Sequence, residues 1–331
     1  MQKTRKLITT ALIATLTLAT SYSQGQSETW RDKLKARRAA AQSGQASADG
    51  ASVVITSDGQ ERSFLVHVPA NVKDNPGVVL VFHGGSVGTA EQLQATIGMD
   101  ALADRDGFIT VYPSTLGKNW TDGRIGTQGG PNDVQFTRDL VAYLHKTYGV
   151  STDKIFATGM SNGGIFDYKL ACDAPGLVQA IAPVAANMAE QLRADCHPGR
   201  GTPVMIFTGT ADPLMPYDGG HPDLAAVLER VKGPSSDVIV SSADTAAFWA
   251  DLNGCGGSTS TNLPDKVSDG TTVTETSFSG CDQGGVVLFS INEGGHAWPG
   301  TGKSGRKLTG KNSNDISANE EMVAFFKQYG L

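Results

Sequence analysis

From residue 51 onward, apolar residues come in short unbroken runs separated by amphipathic stretches. The runs are Val78–Phe82, Phe108–Tyr112, Ile155–Thr158, Val178–Val184, Val204–Phe207 and Val286–Ile291. Continuous apolar runs of this length suit strands covered on both faces, as in a parallel sheet. Two earlier segments, Val53–Thr56 and Ser63–Val68, flank Asp58-Gly59, which reads as a hairpin turn. Between the runs lie stretches of helical period: Ala90–Asp104, Val134–Tyr148, Asn162–Ala171, Ala243–Leu252 and Ile316–Tyr329. Strands alternating with helices predict an α/β fold, a single doubly wound and mostly parallel sheet with right-handed crossovers. No internal repeat and no second domain is visible, so residues 51–331 are expected to form one domain.

The first 50 residues break this pattern. Lys3, Arg5 and Lys6 precede an uncharged apolar run from Leu7 to Thr20, and Ser21 and Ser23 supply small residues before a cut after Ser23. Residues 1–23 therefore read as a signal peptide, and the expected address is secreted or periplasmic. The run is short for a membrane span and no cysteine lies near the cut, so no stable membrane anchor is expected. Residues 24–50 read as a charged segment, with a short helix over Glu28–Arg38, followed by a flexible Ala/Ser/Gln/Gly linker.

Composition narrows the function. The chain has 331 residues, 39% hydrophobic and 18% charged, with a net charge of −6. Such a chain can build an ordinary globular core. Loss of the three leader cations makes it more acidic still, and a broad nucleic-acid-binding surface is not expected. Oligomeric state is open. Cys172, Cys196, Cys255 and Cys281 allow three disulfide pairings. The sequential pairs Cys172–Cys196 and Cys255–Cys281 are preferred because each closes a local loop. No pair has the spacing of a zinc or thioredoxin-like site.

The strongest chemical signal is Gly159-Met160-Ser161-Asn162-Gly163, placed directly after a strand and directly before a helix. A nucleophile elbow needs this context: the turn is so tight that positions two before and two after the serine carry almost no side chain. A second match, Gly84-Gly85-Ser86-Val87-Gly88, follows His83 and an earlier strand. It reads instead as the loop that lends a backbone N–H to an oxyanion hole, with Gly85 and Asn162 as the two donors. Asp212 follows the strand Val204–Phe207 and is the candidate acid, with Asp218 its nearest competitor. His296 lies in a Gly-rich loop after the last core strand. The other five histidines come before the serine or too early for that loop. The order Ser161, Asp212, His296 is that of α/β-hydrolase triads. Trp120 and Trp298 are candidate substrate-binding rings. The run from Ala297 to Ser304 matches a relaxed nucleotide-binding pattern, but Trp298-Pro299 is too bulky and rigid for a phosphate cradle. No metal or cofactor is expected.

These pieces together resemble a known family. V-F-H-G-G at 81–85, N-D-V at 132–134, A-T-G-M-S-N-G-G at 157–164 and A-P-V-A-A at 182–186 carry the likeness. So do G-T-A-D-P-L-M-P-Y-D-G-G at 209–220, F-W-A-D-L-N-G-C at 248–255 and G-G-H-A-W-P-G at 294–300. The chain is similar to the secreted esterases grouped with polyhydroxybutyrate depolymerases and the feruloyl esterases of carbohydrate esterase family one. The resemblance implies an α/β-hydrolase fold, Ser161 as nucleophile, Asp212 as orienting acid and His296 as base. It implies a serine carboxylesterase and does not choose among substrates; hydroxycinnamoyl (feruloyl) esters of plant cell-wall polysaccharide are the first expectation because Trp120 and Trp298 suit an aromatic acyl group. Polyhydroxybutyrate-type polyesters or oligomers and acetylxylan are the alternatives. Two further readings are a catalytically silent relative that binds glycan or polymer, and a related serine peptidase. Because the sequence ends at Leu331 with the last helix, action on soluble esters is expected over docking on a solid polymer.

Overall fold

A computed structural model of the chain describes residues 52–86, 88–222, 237–302 and 309–331. The predicted leader at 1–23 and the charged segment and linker at 24–50 lie outside the described residues, as do Lys303 and Ser304 of the nucleotide-like run.

Among the described residues, ten strands form a single sheet in the order β1-β2-β4-β3-β5-β6-β7-β10-β9-β8. Its centre holds β3 (Val78–Phe82), β4 (Ile109–Pro113), β5 (Ile155–Met160), β6 (Ala180–Val184), β7 (Val204–Gly209) and β10 (Val286–Asn292). These six pair in parallel. Antiparallel strands extend both ends: β1 (Ser52–Ser57) and β2 (Gln60–His67) on one side, β9 (Thr272–Ser279) and β8 (Gly257–Asn262) on the other. The β1–β2 turn places Asp58 at φ 49° and Gly59 at φ 73°, the two positive values a two-residue hairpin turn requires.

Strand periodicity decides which face each side chain meets. Along β3, Val78, Leu80 and Phe82 enter one core layer while Val79 and Val81 enter the other, and all five are fully buried. Each such side chain contributes about 1.5–3 kcal/mol on burial. The first layer is closed by α3 (Asp133–Tyr148), α4 (Asn162–Asp173) and α6 (Ser242–Leu252), through residues such as Phe136, Phe166 and Trp249. The second is closed by α1 (Ala90–Ile97), α2 (Met99–Asp106) and α7 (Ala318–Gln328), through Leu93, Met99 and Phe326. A further short helix, α5 (Glu190–Asp195), lies between β6 and β7.

Three differences from the sequence expectations have physical causes. The stretch 90–104 is two helices, because Gly98 adopts φ 75° and ends the first. The β8–β9 hairpin was not expected. β8 is Gly-Ser-Thr-Ser-Thr-Asn, exposed at every position, so it has no apolar alternation to read. Helix α5 is only six residues long and buries Leu192 alone, too little for a periodic signal.

Disulfides join Cys172 to Cys196 and Cys255 to Cys281. The first ties the last turn of α4 to the end of α5. The second closes the base of the β8–β9 hairpin. Loop-closure entropy gives each about 3–4 kcal/mol of stabilisation.

Candidate active site

Chain direction puts three loops on one edge of the sheet. Ser161 follows β5, Asp212 follows β7 and His296 lies in the loop after β10, all at the carboxyl ends of parallel strands. Ligand chemistry in open α/β sheets gathers at that edge.

Ser161 sits between β5 and α4 with φ 57° and ψ −120°. A non-glycine residue in this region stores backbone strain, which must be held by its surroundings. Its N–H donates to the Val184 carbonyl at 2.9 Å, and Ile165 N–H returns to the Ser161 carbonyl at 2.9 Å. The glycines of the motif are sterically required. A Cβ on Gly159 would stand 2.6 Å from the Gly163 carbonyl carbon. One on Gly163 would meet the His83 carbonyl oxygen at 2.6 Å and the Phe82 oxygen closer still. One on Gly164 would stand 2.6 Å from the Ala186 Cβ.

Asp212 and His296 form a buried pair: Nδ1 of His296 lies 2.7 Å from Oδ2 of Asp212. The other carboxylate oxygen accepts the N–H groups of Leu214 and Met215 at 2.8 and 2.9 Å. With Nδ1 turned to the carboxylate, the neutral ring carries its lone pair on Nε2. The two loops are sewn together by bonds from Thr210 N–H to the Ile291 carbonyl and from Ala211 N–H to the Gly294 carbonyl. The competitor Asp218 is exposed.

Gly84 and Gly85 lie over the elbow. A Cβ on Gly84 would come 3.7 Å from the Ser161 Cβ, and one on Gly85 would come 3.2 Å from the Asn162 Cβ and collide with Asn119 Oδ1. The neighbouring Ser86 is exposed, and α1 begins only at Ala90, capped by Thr89. The strand-turn-helix context thus belongs to Ser161. His83 is fixed by its Nδ1 donating to the Gly84 carbonyl at 2.7 Å, while Nε2 accepts the Thr115 N–H at 3.4 Å. Burial pushes its pKa below the usual histidine value.

The two tryptophans require a correction. Trp120 is 0% exposed, stacked on Phe166 with centroids 5.4 Å apart, and its Nε1–H donates to the His83 carbonyl at 2.9 Å. Trp298 is 4% exposed and donates from Nε1 to Asn319 Oδ1 at 2.8 Å. Each ring has found a full set of core neighbours and a buried acceptor for its N–H, so neither presents a face to a ligand.

Sequence reasoning passed over the polar partners behind the elbow. The Asn162 side chain accepts from Trp120 N–H at 2.7 Å and donates from Nδ2 to the Trp120 carbonyl at 3.0 Å and to Asp122 Oδ2 at 2.6 Å. Asp122 is buried and paired with Arg124 at 2.7 Å. The only hint in the sequence was an acid and a base two residues apart beside Trp120, a pattern too common on surfaces to single out.

A family model described as X-Pro dipeptidyl-peptidase (S15 family) matches residues 12–213, a span that includes Ser161 and Asp212. A putative esterase, NocK, from Nocardia uniformis subsp. tsuyamanensis is 30% identical over 251 residues, 73% of this chain and 72% of its own. Feruloyl esterase B from Piromyces equi is 28% identical over 252 residues, 74% of this chain and 44% of its own. Among solved structures, an acetyl xylan esterase from Aspergillus awamori superposes with a TM-score of 0.56 at 17% identity, covering 84% of this chain and 99% of that one. This last likeness speaks for the fold. By the family model and the esterase relatives together, the chain belongs to the S15 family of α/β hydrolases and is a serine ester hydrolase of the group that includes feruloyl and acetylxylan esterases.

Proposed function

We propose that this protein is an exported carboxylesterase that frees acyl groups from plant cell-wall polysaccharide, using Ser161, His296 and Asp212 as an acyl-transfer triad. The observation that carries this reading is the strained Ser161 turn at the same sheet edge as the buried Asp212–His296 pair. Ser161 Oγ attacks the ester carbonyl carbon while His296 Nε2 takes its proton. Asp212 holds the ring tautomer and stabilises the imidazolium. The N–H groups of Gly85 and Asn162 receive the oxyanion, at the positive end of α4. His296 then protonates the departing alkoxide, and the alcohol leaves. Water enters, gives its proton to His296 and attacks the acyl-enzyme, and Ser161 regains its proton as the acid departs.

Feruloyl esters are one substrate class, supported by the feruloyl esterase B relative. Acetylxylan stands equally, since relatives named acetylxylan esterase match shorter stretches of the chain and the buried tryptophans lend no aromatic platform. The test is acid release from methyl ferulate, acetylated xylan, a hydroxybutyrate oligomer and a proline-containing peptide amide, by wild-type protein and Ser161→Ala. Release from one of the first two, reduced at least about 10³-fold in the variant, is the expected result. Equal turnover by Ser161→Ala removes the nucleophile assignment. Preference for the peptide amide moves the protein to the peptidase reading.

A further inference from the structure

The two N–H groups assigned to the oxyanion hole lie on different strands of chain, Gly85 after β3 and Asn162 after β5. No hydrogen bond described between Gly85 and Asn162 sets their separation. A third segment, Lys118–Asp122, bridges them. On the Gly85 side, the Lys118 carbonyl and Asn119 Oδ1 both accept from Ser86 N–H, at 2.7 and 3.2 Å, and Trp120 Nε1–H donates to the His83 carbonyl. On the Asn162 side, the Trp120 backbone pairs with the Asn162 amide through both N–H and carbonyl. Asp122 Oδ2 then takes the remaining Asn162 Nδ2 proton at 2.6 Å.

The carboxylate that ends this bridge is itself tightly held. Besides Asn162, it accepts from Arg124 Nε at 2.8 Å, Arg124 N–H at 3.1 Å and Thr127 Oγ1 at 2.9 Å. Its side chain is fully buried, whereas that of Arg124 is 15% exposed. A buried carboxylate with this many donors fixes whatever it binds, because moving one partner strands the others without water to replace them. What it binds here is the side chain of the residue whose backbone N–H is assigned to the oxyanion hole.

We infer that Asp122 is a positioning residue for ester hydrolysis: by locking the Asn162 amide to the Lys118–Asp122 bridge, it sets the gap between the two oxyanion donors. This rests on the proposed assignment of Ser161, Gly85 and Asn162. It is distinct from substrate binding, because Asp122 is buried and its oxygens are occupied by the protein. A displaced donor loses transition-state stabilisation and leaves ground-state affinity nearly intact.

The test is Asp122→Asn in the full-length protein, with methyl ferulate or acetylated xylan, whichever the wild type hydrolyses, and an aryl trifluoromethyl ketone that adds to the serine as a tetrahedral oxyanion. The expected result is a kcat reduced roughly 10- to 50-fold with KM changed less than about threefold. Ketone affinity should weaken by the same factor as kcat/KM. A folded variant with unchanged kcat and ketone affinity, or a change confined to KM, overturns the proposal. Should Asp122→Asn fail to fold, Trp120→Phe keeps a six-membered aromatic ring and removes the indole N–H that bonds the His83 carbonyl, together with the five-membered half of the indole. It should lower kcat roughly threefold to tenfold with the same split, and unchanged kcat again overturns the proposal. Wild-type protein that takes neither ester nor ketone overturns the underlying triad reading, and this inference with it.

Discussion

His296 Nδ1 stands 2.7 Å from Asp212 Oδ2, and the opposite oxygen of Asp212 is held by the backbone N–H groups of Leu214 and Met215. The acid is therefore anchored to its own loop as well as to the imidazole. Three donors hold one buried carboxylate, so the histidine ring direction is decided by the backbone of the β7 loop.

That relationship makes Asp212→Asn informative. An amide here turns an N–H toward Nδ1 and favours the opposite ring tautomer, which leaves Nε2 protonated and unable to take the proton that the proposed mechanism assigns to it. We expect kcat on p-nitrophenyl acetate to fall about 10³- to 10⁴-fold with KM nearly unchanged. A loss of less than tenfold would take Asp212 out of the proposed role.

Gly163→Ala tests the elbow as a steric object. The new methyl would lie 2.6 Å from the His83 carbonyl oxygen and closer to that of Phe82, both backbone atoms of a central strand end. Backbone cannot step aside as a flexible side chain can, so the cost should exceed about 3 kcal/mol. Thermal unfolding should show a large loss of Tm, with activity lost even where folded protein remains. A variant melting within about 2–3 °C of wild type would mean that β3 and α4 approach less closely than this.

Asp167, on α4, is completely buried, and among the described residues neither of its carboxylate oxygens has a hydrogen-bond partner. Burial pushes its pKa well above the usual carboxylate value. In the unfolded chain the group ionises near pH 4, so above that pH the folded state binds one more proton than the unfolded state. Its contribution to stability is full below pH 4 and is lost as pH rises toward the folded pKa, by up to about 1.4 kcal/mol per pH unit. Asp167→Asn should flatten this slope between pH 4 and pH 7 and melt higher than wild type at pH 7. Parallel curves for the two proteins in denaturant titrations would show that Asp167 is ionised in the fold.

The legible parts of this molecule were those where one side-chain property dictates one geometry. Val78–Phe82 could be read as a covered strand because every position is apolar, and Gly159 and Gly163 marked the elbow because nothing larger fits. Trp120 and Trp298 misled for the complementary reason. A tryptophan near a motif suits a ligand face or a core equally, and only the location of an acceptor for its N–H separates the two. Here the His83 carbonyl and Asn319 supply that acceptor, from 37 and 21 residues away. The Asp122–Asn162 bond was equally hidden, since it joins residues 40 apart through a loop with no periodic pattern.

The outermost strand, β8, is exposed at all six positions and offers only glycine, serine, threonine and asparagine. Another strand pairing there would gain backbone bonds but bury almost no hydrocarbon, the term that makes edge-to-edge association persist. This end of the sheet is thus a poor seed for fibrils, and molecules at high concentration would have little reason to fuse along it.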